Sequence, residues 1–272
     1  KYADRLVKIS YGKIENDIEK DIDNANEDAP VAAIENIEIK KTKMPFDTLI
    51  GLVCLFLIWE GLYFFIKHPV IPEPIETIRL FVHLFPSLIP HIFSSLYRIL
   101  MAILISFLIG IPLGIWIGAS KWADRLLSPL VYLIYPIPKV AFLPVFMLLY
   151  GLGDASKISL VVWIIVFQLI LSVRDGISQI DRSYYQVMRM MHASKWQTFI
   201  YLLCPAIIPQ IISGLRVCIG IAIASLFFAE NYATKYGLGY YIMNAWSVID
   251  YSELFCGILA LCLLGFLLFK LI

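Results

Sequence analysis

From Thr48 to the end of the chain, apolar residues come in runs of roughly 20, the length a helix needs to cross a bilayer core. Runs near 48–66, 92–117, 126–150, 158–173, 207–229 and 254–272 predict six transmembrane helices. The runs are continuous and do not alternate with period two, which excludes a membrane β-barrel. Before Thr48 the pattern changes. Val7–Ile9 followed by Tyr11-Gly12 suggests a short strand and its exit from a soluble element spanning 1–14. Residues 15–43 are rich in Asp, Glu, Asn and Lys and hold no aromatic residue. Such a segment buries too little apolar area to offset its ordering entropy, so 15–43 is expected to be a disordered acidic linker. The chain therefore divides into 1–14, 15–43 and a greasy body, 44–272, of the all-α polytopic membrane bundle class.

Composition sharpens this division. Hydrophobic residues make up 60% of the 272 and charged residues 16%, and mean hydropathy is +0.80, whereas a soluble domain is nearer half apolar and a quarter charged. The net charge of +1 conceals nine acidic residues against one Lys between Glu15 and Glu38. No clustered basic surface exists to bind nucleic acid. The five cysteines lie in apolar runs without CxxC spacing, and the four histidines share no ligand spacing, so neither a disulfide frame nor a metal site is expected.

Basic residues set the expected orientation. With the N-terminus in the cytoplasm, inside segments hold Lys40, Lys41, Lys43, Lys121, Arg125, Arg174, Arg182, Arg189 and Lys195, against Lys67, Arg79, Lys157 and Lys235 outside. This excess follows the positive-inside rule. The longest loop of the body, 174–205, then faces the cytoplasm. Tyr184, Val187, Met188 and Met191 recur at steps of three and four, an apolar helical stripe that Asp181 or Ser183 can cap. Ala193-Ser194 breaks it, and Lys195–Leu203 resumes as a second helix expected to end before Pro205. Such a pair either docks into a partner's groove or lies along lipid headgroups.

Charges inside apolar spans are expensive and often functional. Arg98 and Glu230 lie near predicted span ends, where snorkelling to the interface explains them most simply. Arg216 lies deeper and fits either a translocation pathway or an ion pair, with Glu60 its partner or facing the bundle interior. Lys139 sits among Pro136, Pro138 and Pro144, and broken backbone at membrane depth is packed on protein or lines a water-filled cavity. Lys139, Arg216, Glu230 and Glu60 are the pathway candidates. No nucleophile–base set is recognisable, so no catalytic residue is assigned.

The 181–205 loop resembles the docking segment of ABC importer permeases, whose pattern is Glu-Ala-Ala, three residues, Gly, nine residues, Ile, one residue, Leu-Pro. Gln186-Val187-Met188 takes the Glu-Ala-Ala positions, His192 the Gly position, and Leu202, Cys204 and Pro205 the last three. Ala193-Ser194-Lys195-Trp196-Gln197 and Gly214-Leu215-Arg216 resemble one branch, the permeases of nitrate, sulfonate, taurine and bicarbonate importers. So do Pro136-Ile-Pro-Lys-Val-Ala-Phe-Leu-Pro144, Gly151-Leu-Gly-Asp-Ala-Ser-Lys157 and Gly237-Leu-Gly239, with agreement from about Trp59 to Gly265. His192 stands where glycine would take φ > 0 most easily.

The resemblance implies a type I importer permease in the cytoplasmic membrane of a bacterium or archaeon, with Gln186, Val187, Met188, Met191, His192, Ala193, Ser194, Lys195, Trp196 and Pro205 coupling it to an ABC ATPase. It further implies a second permease copy, an extracytoplasmic solute-binding protein, and Mg-ATP held by the ATPase, with no cofactor in this chain. A rival class is a secondary transporter driven by an ion gradient. Tyr2-Ala-Asp-Arg-Leu-Val-Lys-Ile-Ser10 with Gly12-Lys-Ile14 resembles the last strands of an ABC ATPase, which implies a fused ATPase–linker–permease polypeptide. No Walker A motif occurs in the chain itself.

Overall fold

Prolines and glycines divide the apolar runs more finely than length alone suggests. The computed structural model describes residues 45–272, with side chains from Leu49 onward. The expected ATPase-like segment 1–14 and the acidic linker 15–43 lie outside the described residues. Ten helices are described: α1 (Pro45–Ile66), α2 (Pro74–Ala119), α3 (Lys121–Ile134), α4 (Leu143–Tyr150), α5 (Asp154–Ser178), α6 (Arg182–Met190), α7 (Lys195–Thr198), α8 (Cys204–Glu230), α9 (Leu238–Ser247) and α10 (Tyr251–Leu271). Five are long and apolar enough to cross a membrane, or six if the bent pair containing α3 and α4 counts as one span. Ile58–Ile272 forms one compact unit.

Two expected boundaries are corrected. The second span, expected from about residue 92, belongs to a helix that starts at Pro74, an N-terminal position where a missing N–H costs nothing. Its 46 residues extend about 69 Å, more than twice the hydrocarbon thickness. Glu76, Arg79 and His83 disguise its first turns as loop, yet buried Thr77 and Leu88 and half-buried Phe81 face the protein there, beside α10. The helix runs on through Pro86, Pro90 and Pro112. The third span, expected as a continuous 126–150, is broken and bent by 86°. Pro136 and Pro138 lack the donors that would carry α3 onward, and a 3₁₀ turn at Lys139–Phe142 leads into α4. Lys139 is buried at this bend. Its Nζ donates to Tyr135 O at 2.7 Å, satisfying a carbonyl at the helix end, and lies 5.0 Å and 5.4 Å from the Tyr135 and Phe167 ring centres.

Helix α5 is the centre of the bundle, with Leu160, Val161, Ile165, Leu169 and Val173 buried along it. Helices α2 and α8 pack on two sides of it. Gly114 of α2 permits the first contact: a Cβ there would stand 2.7 Å from Val173 Cβ and 2.9 Å from Ile170 O. Gly110 and Gly118, one turn away on either side, meet Leu169 and Ile177 in the same way. Small residues at this spacing let helix backbones approach where lipid offers no hydrophobic driving force. At the α5–α8 contact a Cβ on Gly214 would lie 2.8 Å from Ser172 Oγ. Arg174 ties α5 to α3 through Asp124, with an N–O distance of 3.0 Å.

Candidate functional site

Two constructions mark opposite ends of the α5–α8 pair. At the end where α5 finishes and α8 begins lies the expected helix-turn-helix. Asp181 is its N-cap, accepting from Ser183 N at 2.7 Å, and this hydrogen bond holds the Asp181 carboxyl below the usual carboxylate range. The turn is fixed by two interlocking motifs. Ala193 N donates to Met188 O and His192 N to Arg189 O, the paired bonds of a Schellman C-terminus, with His192 at φ 51° in the left-handed position. Ser194 then caps α7 in a reciprocal box: Gln197 N donates to Ser194 Oγ at 3.2 Å, and Ser194 N donates to Gln197 Oε1 at 2.7 Å. Histidine thus adopts the conformation for which glycine is the favoured residue.

The outer face of this turn is apolar and uncovered. Tyr184 is 60% exposed, Met191 71% and Trp196 68%, with Val187 beside them. Gln186, His192, Ser194 and Lys195 are also exposed. Met188 differs from the expected stripe. It is half-buried, as is Ala193, and it lies on the flank that α6 turns toward the bundle, where Tyr185 packs on the core. Tyr184, Val187 and Met191 therefore form the free stripe.

The second helix of the pair is also corrected. It does not end before Pro205 but continues through a five-residue π-helical stretch, Phe199–Leu203, into α8. Pro205 has no N–H and its ring crowds the preceding turn, and a locally widened helix accommodates both. A cavity of about 540 Å³ opens beside this junction, lined by Gln179, Asp181, Tyr184, Tyr201, Pro205 and Gln210.

At the opposite end, where α5 begins and α8 finishes, six polar side chains converge. Arg98 of α2 donates from Nε to Asp154 Oδ1 at 2.8 Å, from a terminal nitrogen to Tyr236 O at 2.8 Å, and also pairs with Glu230 Oε1. Glu230 is 1% exposed and accepts further bonds from Ser95 Oγ at 2.8 Å and Gly239 N at 2.8 Å. Lys157, also 1% exposed, donates to the carbonyls of Leu152, Gly153 and Ala233 at 2.9, 3.3 and 3.3 Å. Gly237 N donates to His91 Nδ1 at 3.2 Å.

The sequence motifs now have physical reasons. A Cβ on Gly237 would come 2.5 Å from the Glu230 carboxyl carbon, and one on Gly239 would come 2.5 Å from Phe227 O. Gly237-Leu-Gly239 thus lets the chain close over a buried carboxylate. Gly151-Leu-Gly-Asp supplies the carbonyls that hold Lys157 and the carboxylate that meets Arg98. Snorkelling is overturned for Arg98 and Glu230, whose charges turn inward and neutralise one another. Lys157, counted above as a loop charge, is buried in this cluster. Of the pathway candidates, Glu230 belongs to the cluster and Lys139 to the bend. Arg216 is exposed with its guanidinium 5.8 Å from the Phe269 ring, and among the described residues it makes no ion pair with Glu60. Glu60 is half-buried, with Oε2 unpartnered among the described residues.

Comparison with known proteins fits this architecture. Residues 110–272 match the family described as "Binding-protein-dependent transport system inner membrane component". The chain belongs to that family. Its relatives include the taurine transport system permease protein TauC of Escherichia coli, 30% identical over 56% of this chain and 55% of that protein. The putative aliphatic sulfonates transport permease protein SsuC of Bacillus subtilis is 30% identical over 54% of each chain. The nitrate import permease protein NrtB of Synechocystis is 30% identical over 56% of this chain and 55% of that protein. The chain thus spans about half the length of the curated relatives it matches. Inward-facing structures of the MetNI methionine ABC transporter share its fold, with TM-score 0.55 at 16% identity over 68% of this chain and 94% of that one. The expected importer-permease fold and the branch resemblance are both borne out.

Proposed function

We propose that the chain is the membrane-spanning permease subunit of an ATP-driven importer, with α6 and α7 docking on an ABC ATPase. The carrying observation is the uncovered stripe of Tyr184, Val187, Met191 and Trp196 on a capped turn between the end of α5 and the start of α8. Each such side chain, fully removed from water, contributes roughly 1.5–3 kcal/mol. A few of them account for a micromolar contact of about 8 kcal/mol. The names of the relatives point to a small oxyanion or sulfonate as solute. In this reading two copies enclose the pathway, an extracytoplasmic binding protein delivers the solute, and the N-terminal side lies in the cytoplasm. ATP, bound with Mg by the ATPase, drives the cycle because nucleotide and solute favour different conformations. This chain supplies the gate and no covalent step. The expected ATPase fusion, a covalent tether, would raise the partner's effective concentration, so activity is a better readout than co-purification.

The test replaces Val187 and Met191 together with Asp. Burying two unpaired charges costs several kcal/mol, so solute-stimulated ATPase activity and uptake into vesicles should disappear together while membrane insertion is retained. Full ATP-dependent uptake by the variant would overturn the proposal.

A further inference from the structure

The polar cluster borders a pocket of about 380 Å³, near the lower end of the range for small-molecule sites. Arg98, Lys157, Asp154, Thr234 and Lys235 line it. The charges around it are unequally committed. Arg98 and Lys157 are both more than nine-tenths buried, yet one carboxylate alone, that of Glu230, is buried with them. Glu230 is held from three sides, by Ser95, Arg98 and Gly239. Lys157 has carbonyl partners and, among the described residues, no carboxylate within ion-pair distance. The second negative charge comes from Asp154, whose side chain is 52% exposed and reaches Arg98 through Oδ1 alone. Exposed Lys235 adds a further positive charge at the rim. The pocket also lies at the N-terminal end of the 25-residue α5, where the helix dipole favours an anion.

We infer that this pocket is a binding site for one small oxyanion, placed between Arg98, Lys157 and Lys235, with the Asp154 carboxylate its built-in competitor. A ligand oxyanion arrives as Asp154 rotates into solvent, exchanging one negative charge for another beside two cations that stay buried. The chemistry suits a free sulfonate, sulfate or nitrate, and equally the phosphate of a lipid headgroup. The site stands on the pocket's charges and not on the importer reading, because its occupancy is measured without an ATPase.

The full chain in detergent is heated with millimolar sodium methanesulfonate, against sodium chloride of matched ionic strength. A saturable rise in the unfolding midpoint is expected. Asp154→Asn should lower the half-saturating concentration by up to about fivefold, the factor equivalent to an exposed ion pair. Lys235→Glu, at an exposed position, should abolish the response without unfolding the chain. A second arm places the three proteins in nanodiscs of phosphatidylglycerol or phosphatidylcholine and measures retained lipid by native mass spectrometry. Retention of phosphatidylglycerol over phosphatidylcholine by wild type and Asp154→Asn but not Lys235→Glu, with no methanesulfonate response, supports the site and assigns it to the phosphate of an anionic lipid headgroup. Equal midpoint shifts in all three proteins, or no shift and no selective retention, overturns it.

Discussion

Removing Arg98 tests whether the buried cluster is held together by its charges. Arg98→Met leaves the Glu230 carboxylate enclosed, with the Ser95 hydroxyl and Gly239 N–H as its remaining donors. Breaking a buried pair from one side costs about 3–5 kcal/mol, because the surviving charge stays desolvated. Glu230→Gln is gentler. The amide oxygen still accepts from Gly239, and Arg98 keeps Asp154 at 2.7 Å and Tyr236 O at 2.8 Å, so about 1.5–3 kcal/mol is expected for the lost charge-assisted bonds. The double variant Arg98→Met with Glu230→Gln removes both charges, and should cost less than the sum of the single changes by at least about 1.5 kcal/mol. In a unit of this size 1 kcal/mol moves the melting midpoint by about 2–4 °C, so Arg98→Met should melt roughly 6–20 °C early, and adding Glu230→Gln to it should lower the midpoint by less than Glu230→Gln lowers that of the wild type. Thermal unfolding of the four proteins in one detergent measures the cycle. Additivity within about 0.5 kcal/mol would show that Arg98 and Glu230 act independently and would refute the reasoning.

Gly114→Val should destabilise by more than about 1–3 kcal/mol, because its Cβ meets Val173 Cβ at 2.7 Å and carbonyl backbone at 2.9 Å; Gly220→Val, with open space around it, is the control in the same melt. His192→Gly should relieve the left-handed strain and stabilise the turn by about 1 kcal/mol, seen as slower amide exchange at Ala193. Ser194→Ala should lose about 1 kcal/mol of capping by the same measurement. Asp181 titrates below its ordinary range when folded, so its cap is present above the unfolded pKa and is lost as pH falls through the folded one. Amide protection in the first turn of α6, corrected for intrinsic exchange, should decline over that acidic window and become pH-independent in Asp181→Asn.

Much of the architecture lies in plain view in the sequence. Runs of apolar residues announce the spans, and the α6–α7 turn is legible because its stripe, caps and break follow local rules. What escapes is set by distance along the chain or by masking polar residues. Asp154 and Ser95 do not stand out as single residues. Alternating spans, however, place residues 95–98, 154–157 and 230–239 at one end of the membrane, so the meeting of Arg98, Asp154, Lys157 and Glu230 there is a derivable expectation. Met188 obeys the same periodicity as Val187, but a stripe wide enough for four residues cannot say which edge the bundle covers. The first turns of α2 are hidden by Glu76, Arg79 and His83, which belong to a helix longer than any membrane requires. Pro205 carries a genuine breaking signal that the helix answers by widening, an outcome that depends on the packing around it.

The uninterrupted run from Lys195 to Glu230 has a mechanical consequence. Its 36 residues make a rod about 54 Å long, with Trp196 at one tip and Glu230 at the other. A helix this long is stiff along its axis, so a push on the tip is delivered as translation or tilt at the far end and is not dissipated in a flexible linker. The widened stretch at Phe199–Leu203, whose hydrogen bonds skip an extra residue, is the joint where bending of the rod concentrates. Force entering below that joint is thus divided between bending the rod and straining the anchorage of Glu230 to Arg98. The relative stiffness of those two elements sets how far a movement travels.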